Sequence, residues 1–144
     1  MLFGRKKRHI TRILVVEDEP LVAFDTEYFL TASGFEIAAT VDSVADALRV
    51  IEGGTEVDLV LADINLVDGS GLDVARTAHG RGIPVLLVTG SCPEGARVFA
   101  AGCLAKPYPQ KDLLGAINAI GAVIGGEKLP NRLPSGLNLF GSAA

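Results

Sequence analysis

Short apolar runs alternate along the chain with longer stretches in which apolar residues return every three or four positions. The short runs suit strands buried on both faces, and the longer spacing suits one face of a helix. Residues 12–17 predict a strand that ends on Glu17-Asp18-Glu19. Pro20 suits the first turn of a helix, and Leu21, Phe24, Tyr28 and Ala32 then share one helical face until Gly34 closes the pattern. Residues 35–41 predict a second strand, followed by Ser43 as N-cap of a helix carrying Val44, Ala47, Leu48 and Ile51, which Gly53-Gly54 stops. Residues 59–62 predict a buried strand ending abruptly on Asp63, and after an Asp68-Gly69-Ser70-Gly71 turn a helix with Leu72, Val74 and Ala75 runs to about Gly80. Residues 83–88 predict a fourth strand ending on Thr89-Gly90. Between Pro93 and Ala100 about two helical turns fit at most, so the fourth helix is shortened. Residues 102–105 predict a short fifth strand ending at Lys106-Pro107, and a last helix from Pro109 carries Leu113, Ile117, Ile120 and Ile124.

Five strands alternating with five helical segments predict an α/β fold, a doubly wound five-stranded parallel sheet, because each right-handed crossover lays its helix on one face or the other. Of the two common doubly wound orders, the flavodoxin-like 2-1-3-4-5 suits five strands, and its switch point falls between the first and third strands. There Glu17, Asp18 and Asp63 meet, and Thr89 and Lys106 arrive from the fourth and fifth strands.

Three carboxylates at close quarters repel one another, and a divalent cation relieves the repulsion. Mg²⁺ fits, since it takes one or two carboxylates and leaves positions for water and phosphate oxygens. The expected ligands are Glu17, Asp18, Asp63 and the backbone carbonyl of Asn65. An aspartate beside a metal, a hydroxyl and an ammonium has what a phosphoryl acceptor requires. Asp63 attacks phosphorus while Mg²⁺, Lys106 and Thr89 stabilise charge on the equatorial oxygens.

Composition narrows the setting. A chain of 144 residues has room for one domain with a real core, and 49% apolar residues, 21% charged residues and a net charge of -4 read as a soluble, mildly acidic protein. Arg5-Lys6-Lys7-Arg8 is basic, but no basic helix or aromatic-lined groove follows, which argues against a nucleic-acid partner. The apolar runs fall far short of the ~20 residues of a membrane span. The first of them is also too short for a signal peptide, so a cytoplasmic protein is expected. Cys92 and Cys103 lack metal-ligand spacing and in a reducing compartment predict no disulfide, and His9 and His79 read as solvated.

Glu17-Asp18, Asp63, Asp68-Gly69 with Gly71, Thr89 and Lys106-Pro107 stand at the ends of their expected strands or in their turn. Together they resemble the receiver domain of bacterial two-component response regulators over roughly residues 11–124. The resemblance implies Mg²⁺-dependent phosphoryl transfer to Asp63 from a sensor histidine kinase or a histidine phosphotransfer protein. Self-catalysed transfer and dephosphorylation are then the only chemistry, and a downstream protein target reads the altered surface. It also implies a cis peptide bond between Lys106 and Pro107. The expected organisation is a basic arm over residues 1–10, the receiver over 11–124 and a tail over 125–144, a stand-alone receiver without an output domain.

Departures from the family pattern fall on the output side. Cys103 occupies the place of the aromatic switch residue three positions before Lys106, Val67 replaces the usual proline after the acceptor, and the segment from Thr89 to Lys106 is short. Thr89 and Cys103 are therefore the expected switch positions. A subgroup of stand-alone receivers with a Phe-Ala-Thr-Gly signature shares the shortened segment, and Thr89-Gly90 matches half of that signature. The alternative is a pseudo-receiver, a protein-binding module without phosphotransfer, which Mg²⁺ affinity separates from the first reading. A flavodoxin-like cofactor carrier shares the architecture but requires a phosphate-binding first loop, where Glu17-Asp18-Glu19 repels phosphate. In the tail, Leu137, Leu139 and Phe140 predict a segment that docks on its own domain or on a second copy as a homodimer.

Overall fold

A computed structural model describes residues 9–140, and the basic run at residues 5–8 lies outside them. Its elements are β1 (Arg12–Val16), α1 (Pro20–Ala32), β2 (Glu36–Val41), α2 (Val44–Glu52), β3 (Leu59–Asp63), α3 (Gly71–Gly80), β4 (Val85–Thr89), α4 (Ala96–Phe99), β5 (Gly102–Ala105), α5 (Gln110–Ile124) and β6 (Leu137–Leu139). A two-stranded ribbon pairs Asn65 with Ser70 and Leu66 with Gly69 between β3 and α3.

The main sheet runs β2-β1-β3-β4-β5-β6. Its first five strands are parallel and in the expected order. Every residue of β3 and β4 is buried, which explains why both read as uninterrupted aliphatic runs. Alternate strand residues feed two cores. Leu14, Val16, Val60, Ala62, Leu87 and Cys103 pack against α2, α3 and α4. Ile13, Val15, Leu59, Leu61, Leu86 and Leu104 pack against α1 and α5.

Three features refine the sequence reading. First, α4 is a single turn of four residues, shorter than the two turns that the segment allows. Second, the apolar stripe expected on α1 faces solvent: Leu21, Phe24 and Tyr28 are 79%, 65% and 72% exposed, and Ala23 and Leu30 are the residues that the helix buries. Third, the tail adds a sixth, antiparallel strand. Leu139, Asn138 and Leu137 pair with Gly102, Cys103 and Leu104, and two flanking backbone bonds extend the ladder, Ala105 N–H to Gly136 O and Phe140 N–H to Ala101 O. The tail thus docks on its own domain and covers the otherwise open edge of β5. Gly115 on α5 leaves the space for this path, since a Cβ there would lie 3.0 Å from the Pro134 ring.

Candidate functional site

The carboxyl ends of β1 and β3 carry the acidic cluster because these strands are neighbours in register, Val16 beside Ala62. One step further along, Glu17 leaves β1 and Asp63 closes β3. Glu17, Asp18 and Asp63 each offer a carboxylate oxygen, all within 4.8 Å of one another. Glu17 and Asp63 are buried and Asp18 is half-buried. The turn is tied down from both sides, Glu17 N–H donating to Val41 O at 2.9 Å and Glu19 N–H donating to the Glu17 carboxylate at 3.1 Å.

Both oxygens of Asp63 are engaged. Lys106 Nζ, beyond the end of β5, donates to Oδ2 at 2.5 Å, and the Asn65 amide donates to Oδ1 at 3.1 Å. Lys106 is brought there by its own amide bonding to Thr89 O at 2.9 Å, and it is followed by the expected cis bond to Pro107. Thr89 is buried at the end of β4, one residue beyond Val88, which lies opposite Asp63. Its hydroxyl donates to Ser91 O at 3.0 Å and accepts from Ser91 N–H at 3.2 Å. The fold thus brings Glu17, Asp18, Asp63, Asn65, Thr89 and Lys106 to one end of the sheet. Cys103 stands apart: it pairs with Leu87 inside the sheet and packs with Ala96 and Ala100 around α4.

The electrostatics follow from this arrangement. Burial raises the pKa of Glu17 above its ordinary 4.5, and the charges of Asp63 and Asp18 raise it further against the opposing Glu19 amide and Lys106. Burial works to lower the Lys106 pKa, yet the hydrogen bond and charge of Asp63, with Glu17 behind it, hold it above 10.5. Three carboxylates against one ammonium leave two negative charges uncompensated when all are ionised. A hard dication fits both that charge and the all-oxygen donor set.

Sequence reasoning placed Asp68 and Gly71 in a turn without their contacts, and it passed over Tyr108. Asp68 accepts the amides of Val44 at 2.7 Å and Ala45 at 3.0 Å, so it caps α2 from across the molecule, and these bonds lower its pKa. Ser43, the predicted N-cap, accepts from Asp46 N–H at 3.1 Å, so α2 is capped twice. Gly71 is required by close approach, since a Cβ there would sit 2.3 Å from Asp63 O. Tyr108, two residues beyond the lysine, is raised in pKa by burial, and its phenol also feels Lys106, Glu17 and Asp63. Its signal in the sequence was only proximity to Lys106-Pro107.

Comparison with known proteins agrees with the fold. The phyllosphere-induced regulator PhyR of Methylorubrum extorquens is 32% identical over 114 residues, covering 75% of this chain and 42% of that protein. The sensory transduction protein RegX3 of Mycobacterium bovis is 32% identical over 117 residues, covering 77% of this chain and 51% of the relative. The chain therefore spans about half the length of these curated relatives. Among solved structures, a CheY-like response regulator receiver domain protein from Methanospirillum hungatei superposes with a TM-score of 0.68 at 29% identity, covering 76% of this chain and 91% of that one. The receiver domain of the Pseudomonas aeruginosa sensor histidine kinase PA1611, with a magnesium ion in its active-site cleft, superposes with a TM-score of 0.65 at 26% identity, covering 75% and 94%. The family model described as the response regulator receiver domain matches residues 13–118, from β1 well into α5, and this chain belongs to that family.

Proposed function

We propose that this protein is a phosphorylation-dependent signalling switch in which Asp63 accepts a phosphoryl group from a phosphohistidine. The observation that carries the reading is the pairing of Asp63 with Lys106 at 2.5 Å inside a cluster that also holds Glu17 and Asp18. A carboxylate oxygen of Asp63 forms the new bond to phosphorus, the bond from phosphorus to the donor imidazole breaks, and the imidazole leaves with that electron pair. Later attack of water on the acyl phosphate returns Asp63 and releases inorganic phosphate.

Glu17, Asp18 and Asp63, with the Asn65 carbonyl, are the residues that hold Mg²⁺. The bound ion supplies positive charge to the phosphoryl oxygens. Lys106 exchanges its bond to the free carboxylate for one to a phosphoryl oxygen. The Thr89 hydroxyl, now closed on Ser91, turns inward to donate to another. That turn changes the loop that follows, and with it the packing around Cys103 within β5 and the surface offered to a downstream protein. Output through protein contact is part of the same proposal, as is action in the cytoplasm where phosphohistidine donors work.

A donor reaching Asp63 passes over the start of α1, which immediately follows Glu17 and Asp18. The exposed Leu21, Phe24 and Tyr28 supply an apolar landing for a histidine kinase or a histidine phosphotransfer protein there. The pseudo-receiver alternative is not favoured, because acidic set, threonine and lysine are all present around one aspartate.

The test is intact mass after incubation with a small acyl-phosphate donor, with and without Mg²⁺, for the wild type and Asp63→Asn. One added phosphoryl group that needs both Mg²⁺ and Asp63 is the expected result. A gain that persists in Asp63→Asn, or no gain from either the small donor or a phosphorylated histidine phosphotransfer protein, sinks the reading.

A further inference from the structure

A cavity of about 940 Å³ opens at the amino ends of β3, β4 and β5, the opposite end of the sheet from Asp63. Asp58, Pro84 and Ala101, each one residue before its strand, line it there. Its inner wall is core, since Ile120 and Ala100 are buried. Its rim is apolar as well. Val98 of α4, Val123 and Ile124 of α5 and Leu129 of the tail all line the hollow and are all exposed. Single exposed aliphatics are ordinary, but four of them from three segments around one concavity form a surface suited to an apolar guest.

Few polar groups share the cavity, and most are already engaged. Asp58 Oδ2 accepts the amides of Thr11 and Arg12, both at 2.9 Å. His9 lies 3.5 Å from the Glu127 carboxylate, and His79 meets the Phe99 ring edge-on with centroids 5.8 Å apart. Arg97 differs from these. Among the described residues no carboxylate pairs with it, and its guanidinium stands 5.8 Å from the centre of the Phe140 ring, on the cavity wall. A cation–π contact leaves the charge of Arg97 unneutralised and its N–H donors open to an oxygen acceptor.

We propose that this cavity binds a medium-chain aliphatic carboxylate, with its hydrocarbon between α4, the end of α5 and the tail, and its carboxylate on Arg97. An apolar hollow with one open cation is complementary to the converse layout, a long apolar body with a single anionic end. A plain hydrocarbon leaves Arg97 without an acceptor, and a polyanion meets one cation beside Asp58 and apolar walls. The guest touches α4, α5, Leu139 and Phe140 together, so it also holds β6 on the domain. Binding here is independent of phosphoryl transfer at Asp63.

The full chain is titrated with decanoate and, separately, with decan-1-ol, and amide chemical shifts are followed. Decanoate is expected to saturate, with shifts centred on Ala100, Ala101, Ile124 and Phe140. Shifts that never saturate, or that centre on another face, overturn the site. Arg97→Gln, a change at an exposed position, is expected to weaken decanoate about fivefold and to leave decan-1-ol unchanged. Equal losses for the two ligands, or no loss for either, overturn the assignment of the carboxylate to Arg97. Val123→Glu sets a carboxylate on the rim at another exposed position, and it is expected to weaken decanoate more than decan-1-ol. The reverse order, or no change, overturns the placement of the hydrocarbon. Hydrogen exchange of residues 137–140 is expected to slow several-fold with decanoate bound, and unchanged exchange overturns the hold on β6.

Discussion

Helices α1 and α5 cover the same face of the sheet, yet they use their apolar residues in opposite ways. α5 buries Leu113, Ala116, Ile117, Ala119, Ile120 and Ala122, and its predicted apolar stripe is core except for Ile124, which is 48% exposed. α1 buries Ala23 and Leu30 and shows Leu21, Phe24 and Tyr28 to solvent. Both stripes recur at helical spacing, so periodicity says which residues share a face and leaves open what covers that face. What separates them is position: α1 starts beside the acidic cluster and keeps an apolar face free there. α5 follows Lys106-Pro107 back along the sheet and fills the space over Leu86, Leu104 and Leu61.

The sharpest way to break this comparison is to cut into each stripe and measure unfolding. Ile117→Ala removes a side chain that is 1% exposed, and a cost of about 3 kcal/mol is expected, read as a lower urea midpoint at an unchanged slope. A cost near zero there makes the contrast between the helices false. Cutting the chain after Gly126 removes β6 and the Pro134 contact on α5. The partly buried Leu137, Leu139 and Phe140 are lost with it, and a smaller penalty of roughly 2 kcal/mol is expected. If stability and oligomeric state are both unchanged, the tail strand contributes nothing to the fold.

Next in size is the charged rim where α1 begins. Glu17 holds its proton above the ordinary 4.5, so in the metal-free protein its favourable contribution is full below 4.5 and is lost as pH rises through the raised value. Glu17→Gln removes that loss and is expected to stabilise the metal-free chain at neutral pH by about 1 kcal/mol. Mg²⁺ affinity is expected to move the other way, weakening in the wild type as pH falls into the same window and being reduced in the variant at pH values above it. Thermal melts with and without Mg²⁺ read both, and a variant less stable without metal contradicts the account of Glu17.

Much of this was legible from residue order, for a physical reason. Fully buried parallel strands leave unbroken aliphatic runs, and the residues at their carboxyl ends converge whatever the loops do, which is why Glu17, Asp18, Asp63, Thr89 and Lys106 could be gathered from spacing alone. Contacts between distant segments had no comparable signature. Asp68 reads as a turn residue until the first amides of α2 are seen to end on it, and Tyr108 reads as a loop residue until it is seen to lie near Lys106, Glu17 and Asp63. Gly71 is intermediate, since a glycine in a turn is visible in the sequence but the carbonyl of Asp63 that excludes a side chain is not.

The smallest expected effect on stability is also the most informative about α1. Phe24 is 65% exposed, so Phe24→Ser should change the unfolding free energy by no more than about 0.5 kcal/mol, against about 3 for Ile117→Ala on the same face of the sheet. With Asp63 as the proposed acceptor, uptake from a small acyl phosphate would need only the acidic cluster, Thr89 and Lys106, and is expected to stay at the wild-type rate. Transfer from a phosphorylated histidine protein needs a docked complex, and loss of an aromatic anchor from its centre is expected to slow it about tenfold. The two donors thus separate chemistry from docking. If both rates fall together, Phe24 supports the site and not an interface, and if neither falls, the donor approaches by a route that avoids α1.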